Sequence, residues 1–513
     1  MRKTCQSRRS FLTETLGAIA LADGRLRAAT PGRNEILSRA VELNVGESSR
    51  VTLSNGRIAV VRVEGVHETR DSVYSALRGV EVDVRVEGRP VRLECANYHL
   101  PVTVGEVQID CPFTRPYLEG DVTGTYWSLE KDVRLRLWPK DSPLVDPVTF
   151  VYPLRQRWFA SATQMANEPV YVDGGEDPLK KPVYYHGGCD LGGVEGVTEV
   201  VAATDGVMVS LGKAALPGPE GDPPKVRYGN AIVDATRYDV IYLRDDRGWY
   251  YRYAHLKSFA PGLEVGQRVK MGQLLGILGK EGGAGWSHTH FEIKARQPSG
   301  NWGTEEGYAI LWEAYQRQYK PELIAVARPH HFARVGEKVV LDGRRSWSRS
   351  GKIVSYEWSF TDGGRDSGPT VERSYARPGY YSEALKITDS QQRTDYDFTI
   401  VQVVDPAQLG RVPLISIHAA YAPTMQIHRG QVITFKVLTF GTQDGVETWD
   451  FADGTPPVTV KSVSYVRGAA VNPAYAATTH AYAKPGDYLV RVERSDRYGQ
   501  KAVNRLFVRV QAS

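Results

Sequence analysis

The sequence contains no run of 18 apolar residues and only a small excess of basic over acidic side chains. The first absence argues against a membrane-spanning helix, which needs about 20 consecutive, mostly apolar residues. Lys and Arg number 64 and Asp and Glu 59, so the formal net charge is only +5. This excess is too small to indicate nucleic acid or an anionic membrane as a partner. We therefore expect neither a transmembrane segment nor nucleic-acid binding.

Cysteine is also scarce, with four residues in 513. Cys95 and Cys111 lie 16 positions apart in a stretch rich in β-forming residues, close enough to close a hairpin in an oxidising compartment. A disulfide between them would stabilise the fold by roughly 3 kcal/mol. Two free buried thiols are the alternative, and the sequence does not decide between them.

Glycine (50) and tyrosine (28) are plentiful, as expected of turn-rich β structure. Residues 51–60 place two apolar runs around an Asn-Gly pair, a strong indication of a β-hairpin. Residues 82–93 alternate apolar with charged positions around a Glu-Gly turn, which predicts a half-buried strand pair. Residues 34–150 are thus predicted to form an N-terminal β domain, followed by a connector at 151–175. The spacing of apolar residues predicts a helix over 305–320.

Histidines and one aspartate recur in three segments in the middle of the chain. His186 and Asp190 are four apart, His255 follows much later, and His288 and His290 are separated by one residue. On a strand, residues i and i+2 project to one face, so the last two can both reach a site formed with the first pair. A catalytic zinc ion typically takes three protein ligands and leaves one position for water. The five groups exceed that need, and the surplus is what proton transfer requires.

In their order, these segments resemble the motifs of the M23 (LytM/lysostaphin-like) peptidases. Those motifs are His-x-x-x-Asp, a central histidine followed by leucine, and His-x-His. Segments 201–206 and 263–276 resemble the strand and the glycine-punctuated turn of the same family. The resemblance spans about residues 176–296, under a quarter of the chain, and it implies a β-sheet peptidase domain over 151–320.

The resemblance implies a zinc metallo-endopeptidase and a role for each of the five residues. His186, Asp190 and His290 would be the ligands of one Zn²⁺ ion. His255 and His288 would be the catalytic pair. One would take the proton of the attacking water and the other would stabilise the oxyanion, and the sequence does not distinguish them.

Two neighbours of these residues have less defined roles. Cys189 and the adjacent Asp190 would face opposite sides of a strand, so the cysteine is expected to be a small apolar filler. Glu292 shares the predicted strand face of His290. It is either a hydrogen-bond partner of a ligand histidine or a solvated carboxylate.

The implied substrate class is a peptide, in the cross-links or stems of bacterial peptidoglycan, and this expectation comes from the resemblance alone. Two alternatives remain open. The chain could be a non-catalytic module that binds cell wall or protein, or it could be a secreted peptidase that acts on proteins.

Two later segments repeat each other within the sequence. The motif Trp-x-Phe-x-Asp-Gly occurs at 358–363 and at 449–454, and Tyr-Ala-Arg/Lys-Pro-Gly begins at 375 and at 482. The aromatic pair predicts a strand face in a core, and the Asp-Gly and Pro-Gly pairs predict turns. The repeats resemble PKD domains, which are immunoglobulin-like β-sandwiches. We expect such units at 324–405 and 411–512, and contacts with the cell surface through them.

The N-terminus indicates export. Residues 7–12 (Ser-Arg-Arg-Ser-Phe-Leu) resemble the twin-arginine motif, and Ala-Leu-Ala at 20–22 offers a cleavage site after a short apolar stretch. A basic, frayed N-terminus is the alternative. We therefore expect a signal region at 1–29 and an extracytoplasmic location, in the periplasm, at the cell surface or secreted. The expected fold class is mainly β throughout.

Overall fold

The computed structural model describes residues 36–95, 97–119, 127–171, 183–217, 226–228, 231–233, 236–464 and 473–512. The twin-arginine-like region 1–29 lies outside these residues. The described chain is mainly β, with 41 strands and two α-helices, which confirms the predicted fold class. Neither helix is long and apolar enough to cross a membrane. The described residues, which run from 36 to 512, belong to one compact unit.

The N-terminal part contains two four-stranded sheets. Its elements are β1 (Arg39–Leu43), β2 (Ser48–Thr52), β3 (Ile58–Arg70), β4 (Leu77–Val86), β5 (Arg89–Glu94), β6 (Val102–Val104), β7 (Val107–Thr114), α1 (Arg115–Glu119) and β8 (Val133–Pro139). The strand orders are β1-β8-β7-β6 and β2-β3-β4-β5. Both predicted hairpins form: Gly56 closes the first with a φ of +80°, and Glu87 and Gly88 close the second with positive φ angles.

Cys95 and Cys111 meet in the core between these sheets. Their backbones form an isolated parallel bridge, and both side chains are buried. The structure has both as free thiols. Burial, with the neighbouring Cys95, raises the pKa of Cys111 well above its ordinary value, so this thiol stays protonated at neutral pH.

The middle part has one large sheet and one helix. Its elements are β9 (Thr163–Gln164), β10 (Pro169–Tyr171), β11 (Val183–Tyr185), β12 (Cys189–Gly192), β13 (Glu199–Val201), β14 (Gly206–Leu211), β15 (Ala214–Ala215), β16 (Val226–Tyr228), β17 (Ala231–Val233), β18 (Ile241–Arg244), β19 (Tyr250–Ala254), β20 (Leu256–Phe259), β21 (Arg268–Val269), β22 (Leu274–Leu278), β23 (His288–Arg296), β24 (Trp302–Glu305) and α2 (Tyr308–Tyr319). Short 3₁₀ turns lie at Pro147–Thr149 and Glu281–Gly283. The main path of the large sheet runs β15-β14-β18-β19-β23-β12-β9.

Residues 151–171, the described part of the predicted connector, belong to the folded core, so the expectation was wrong for them. Strand β9 pairs with β12 at one end of the large sheet, and Tyr152, Trp158 and Phe159 are buried in its core. These aromatic rings pack against α2, with 5.3 Å between the ring centroids of Tyr152 and Tyr315. The apolar content of the segment is therefore used as core. The predicted helix begins at Tyr308 rather than at 305, because residues up to 305 pair with β23.

Two β-sandwiches follow. The first sandwich consists of β25 (Leu323–Ile324), β26 (His331–Arg334), β27 (Val339–Asp342), β28 (Trp347–Ser348), β29 (Ile353–Ser359), β30 (Arg365–Ser367), β31 (Thr370–Arg373), β32 (Gly379–Asp389) and β33 (Thr394–Val404). The second consists of β34 (Ser416–Ala422), β35 (Ile427–His428), β36 (Ile433–Phe440), β37 (Glu447–Asp450), β38 (Val458–Val460), β39 (Ala476–His480), β40 (Gly486–Ser495) and β41 (Lys501–Gln511). Strands β32 and β41 pair in parallel, so one sheet runs through both sandwiches.

The repeated aromatic motif forms the core of each sandwich, as predicted. Trp358 and Phe360 are buried in the first, and Trp449 and Phe451 are buried in the second. The glycine after each aspartate has a φ of +90° or +85°. A glycine suits this turn because other residues rarely adopt such angles.

Candidate active site

Three neighbouring strands bring the predicted site residues together. Strand β23 lies between β12 and β19, and its register places His290 directly opposite Asp190. His288 is two residues earlier on β23, on the same face. His255 follows the last residue of β19, and His186 follows the last residue of β11. All five predicted positions therefore lie close together around β23.

Asp190 lies at the centre of this cluster and contacts three histidines. Its Oδ1 is 2.8 Å from Nδ1 of His290, and its Oδ2 is 3.2 Å from Nε2 of His186. Nε2 of His288 is also 3.2 Å from Oδ2. Burial raises the pKa of Asp190, but the two histidines near Oδ2 outweigh this and hold it well below its ordinary value. The carboxylate is therefore charged and directed at a ring of imidazoles.

The donor set of His186, Asp190 and His290 fits a metal ion. Three ligand atoms, one from each residue, lie within 4.8 Å of one another, and all three residues are buried. Two imidazole nitrogens and a carboxylate oxygen are ligands that zinc accepts. Gly188 has a φ of +94°, and a Cβ there would lie 3.0 Å from Nε2 of His290, so the motif needs glycine at this position.

Both remaining histidines are oriented through Nδ1. Nδ1 of His255 is 2.6 Å from the carbonyl of Glu281, and Nδ1 of His288 is 3.1 Å from the carbonyl of Trp286. A carbonyl can only accept, so each Nδ1 carries a proton, while Nε2 of His288 faces the Asp190 carboxylate. Nη2 of Arg237 also lies 3.1 Å from Nδ1 of His255. We assign the proton to Nδ1 because the carbonyl contact is shorter.

The environment of His255 is specialised. Its backbone φ is +66°, a region that non-glycine residues seldom occupy and that often marks functional sites. Burial lowers its pKa to about 4, so the ring is neutral at physiological pH. The ring centroid lies 4.8 Å from that of His288. The two rings form a closely spaced pair beside the metal-capable cluster.

Sequence reasoning missed the residues that hold His255. Oδ2 of Asp239 accepts the backbone N–H of His255 at 3.0 Å, and Arg237 holds the same carboxylate at 2.7 Å. Asp239 is buried, and hydrogen bonds from His255 and Arg237 outweigh burial and lower its pKa. No spacing in the sequence links position 239 to the histidine motifs. Only its place just before β18, next to β19, could have indicated it.

Glu292 is buried, so the solvated alternative for this residue is wrong. Its carboxylate lies 3.9 Å from Nε2 of His290 and accepts a 2.6 Å hydrogen bond from Thr304. Burial alone would raise its pKa, but Lys294 and His290 have the larger effect. The net pKa is lowered, so the carboxylate is charged. Cys189 faces away from the cluster into the core, as expected of an apolar filler.

The N-terminal part supports the strand that leads into His186. The hydroxyl of Tyr185 accepts a 2.5 Å hydrogen bond from the backbone N–H of Leu77, and its ring packs edge-on against Tyr117 at 5.3 Å. The backbone N–H of Asn167 donates to the carbonyl of His186 at 2.9 Å. The strand before the first histidine is thus held from both sides.

Comparison with known proteins defines the class of each part. Residues 184–301 match the model of peptidase family M23, and residues 321–403 and 418–509 match two models of the PKD domain. The chain therefore carries an M23 peptidase domain followed by two PKD domains. The first and second sandwiches are these PKD domains.

Individual relatives match over limited lengths. A microbial collagenase of Vibrio alginolyticus is 30% identical over 112 residues, which is 20% of this chain and 14% of the collagenase. A LytM structure from Ruminococcus gnavus is 22% identical with a TM-score of 0.20, over 33% of this chain and 61% of that chain. The lysostaphin catalytic domain of Staphylococcus simulans is 20% identical with a TM-score of 0.20, over 30% of this chain and 92% of that chain. The family models and the site geometry, not these superpositions, carry the assignment.

Proposed function

We propose that the protein is an exported zinc metallo-endopeptidase that hydrolyses peptide bonds in bacterial peptidoglycan. The observation that carries this proposal is the convergence of His186, Asp190 and His290 beside the closely spaced pair of His255 and His288. The M23 family match over the same residues supports it. The peptidoglycan substrate is proposed from the match to peptidase family M23.

The proposed ligands are Nε2 of His186, a carboxylate oxygen of Asp190 and Nδ1 of His290, since these atoms face one another. When bound, a zinc ion would polarise the scissile carbonyl and lower the pKa of the attacking water. Glu292 would orient the His290 ring from behind, because its carboxylate faces the other ring nitrogen.

The proposed catalytic groups are the two Nε2 atoms of His255 and His288. One would accept the proton of the attacking water on an unprotonated Nε2, and the other would donate a hydrogen bond to the developing oxyanion from an Nε2 that already carries a proton. Carbonyl contacts at both Nδ1 atoms orient the two rings, and they leave an unprotonated Nε2 on the ring that acts as the base. Asp239 fixes the backbone of His255 and thereby the position of its ring.

Zinc content and amine release test this proposal together. Full-length protein loaded with zinc should release free amines from peptidoglycan, and a chelator should abolish the release. The variant His288→Ala should bind zinc and lose turnover by at least about 100-fold, since general acid–base groups contribute 10²–10⁴-fold. The variant His290→Ala should lose both zinc and turnover. His67→Ala is the control, because His67 pairs with Asp83 on the exposed face of the N-terminal part.

The other outcomes separate the alternative functions. Zinc-loaded protein that sediments with peptidoglycan and releases no amines would be a binding module. Release from a glycine-rich protein, and none from peptidoglycan, would indicate a peptidase that acts on proteins. Export is proposed through the twin-arginine-like residues 7–12, and a reporter fused after residue 29 should leave the cytoplasm only while both arginines are present.

A further inference from the structure

The second PKD domain contacts the residues just before β23, the strand that carries His288 and His290. The backbone N–H of Ser287, one residue before His288, donates to the Tyr475 hydroxyl at 2.8 Å. The half-buried Trp286 ring lies between two histidines, with its centroid 4.3 Å from His288 and 5.0 Å from His418. Tyr475 and His418 both belong to the second PKD domain, so its side chains reach the residues next to a proposed catalytic group.

These contacts form a chain in which every donor has one acceptor. Ser287 donates to the hydroxyl of Tyr475, which donates to Nδ1 of His418 at 2.7 Å. Ser161 donates to the carbonyl of Ala419, so its oxygen accepts from Nε2 of His418 at 2.9 Å. The pattern requires a neutral His418 with its proton on Nε2. Burial, with the nearby His288, lowers the pKa of His418 to about 3, in agreement with a neutral ring.

A second set of contacts leaves Trp286 little room to move. A Cβ on Gly192 would lie 2.9 Å from the Trp286 ring and 2.2 Å from the carbonyl of Ala162, so ring and backbone are packed directly on this glycine. The ammonium of Lys436, from the second PKD domain, donates to the carbonyl of Glu195 at 2.7 Å. The PKD domain therefore contacts the segments that follow Asp190 and precede His288.

We propose that the second PKD domain is a positioning element of the active site, with Tyr475 and His418 holding Trp286 and through it the His288 ring. The carbonyl that orients His288 belongs to Trp286, so any shift of Trp286 moves this acceptor. Displacements of about 1 Å at a catalytic group are enough to lower turnover by up to 100-fold. This inference rests on the proposed function, because it assigns the role of His288 to catalysis.

Two substitutions in the PKD domain test the proposal on the full-length, zinc-loaded protein. Tyr475→Phe removes only the hydroxyl, and His418→Leu removes both ring nitrogens. Each should lower kcat roughly tenfold or more while KM and zinc content stay unchanged. His418→Asn should keep most of the wild-type kcat that His418→Leu loses, because the asparagine amide oxygen can accept from Tyr475 in place of Nδ1. Tyr488→Phe is the matched control, since the Tyr488 hydroxyl donates to the Lys484 carbonyl within the same domain.

A second measurement does not depend on turnover. In metal-free protein, the NMR resonances of the His288 ring should shift in Tyr475→Phe and in His418→Leu, and should not shift in Tyr488→Phe. Unchanged kcat and unchanged His288 resonances in both folded variants would overturn the positioning role. If wild-type protein is inactive on every substrate while the His288 resonances still shift, the proposed function fails and the structural coupling stands.

Discussion

The two PKD domains have equivalent cores but contact different parts of the molecule. Trp358 in the first and Trp449 in the second are buried to 1% and 0% exposure. The first domain stacks Phe332 on Tyr171 of β10, the partner strand of β11, at 4.0 Å between ring centroids. In the second domain, the Tyr475 hydroxyl accepts a hydrogen bond from the backbone N–H of Ser287, the residue before β23. The shared motif thus specifies a core, and residues outside the motif decide what each domain does.

The buried polar residues of the two domains differ as well. Glu447 in the second domain is fully buried and accepts hydrogen bonds from Thr439, Ser462 and Arg494. Glu383 in the first domain is equally buried, and its Oε2 accepts from Thr361. The second domain therefore holds a buried charge, Glu447, with hydrogen-bond donors to both carboxylate oxygens. The difference gives the two domains opposite expected responses to pH.

The largest expected effect comes from removing each core tryptophan. Trp358→Ala and Trp449→Ala should each lower the free energy of unfolding by about 3–5 kcal/mol, because a large buried ring is replaced by a cavity. Denaturant unfolding measures this loss. At denaturant concentrations too low to unfold either variant, kcat should fall in Trp449→Ala and stay unchanged in Trp358→Ala. Equal losses of kcat in the two variants would contradict the comparison.

The next effect is on the pH dependence of stability, which should differ between variants of the two buried glutamates. Burial alone would raise the pKa of Glu447. Hydrogen bonds from Ser462 and Thr439 and the charge of Arg494 have the larger effect, so the net pKa is lowered. Its contribution to stability is therefore present above the ordinary value of 4.5 and is lost as pH falls through the lowered pKa. Glu447→Gln should cost about 3 kcal/mol at pH 7, since Arg494 is left buried without a counter-charge, and less in acid.

The matched variant in the first domain should behave in the opposite way. Burial raises the pKa of Glu383, so the folded state favours its protonated form and stability falls as pH rises from 4.5 through the raised pKa. Glu383→Gln should therefore be neutral or stabilising at pH 7, with the difference vanishing below pH 4.5. Thermal unfolding from pH 3 to 8 measures both variants. Parallel pH curves would contradict the assigned shifts.

The smallest effect concerns the surface contact between the second PKD domain and the peptidase domain. Lys436→Met removes the hydrogen bond to the Glu195 carbonyl and should cost at most about 1 kcal/mol. Lys386→Met, which removes a half-exposed pair with Glu357 in the first domain, is the matched control. Only the first variant should lower kcat, by less than about tenfold. A larger loss in the control would argue against a role specific to the second domain.

The sequence allowed a close prediction of the parts that depend on local pattern. The turn glycines, the paired aromatic motifs and the i, i+2 histidines follow from strand periodicity and turn chemistry, which act over a few residues. The five site positions could be named because family motifs preserve their spacing. The pattern did not reveal β9, since two residues of strand carry almost no periodicity.

The contacts that complete the site depend on tertiary structure. Ser287 and Tyr475 are 188 residues apart, and Ser161 and His418 are 257 apart. A hydrogen bond across such a distance has no trace in local periodicity, because chain folding alone brings its donor to its acceptor. Asp239 was missed for the same reason, as it acts on His255 across a turn between strands.

The sequence by itself determined a mainly β protein with a metal-capable set of His186, Asp190 and His290 and two repeated sandwiches. Only the tertiary structure decided that these residues share one buried cluster around the Asp190 carboxylate and that the second sandwich packs against its edge. The physical reason is that residue types and their spacing are local properties of the chain, whereas the orientation of a ring depends on every group packed around it.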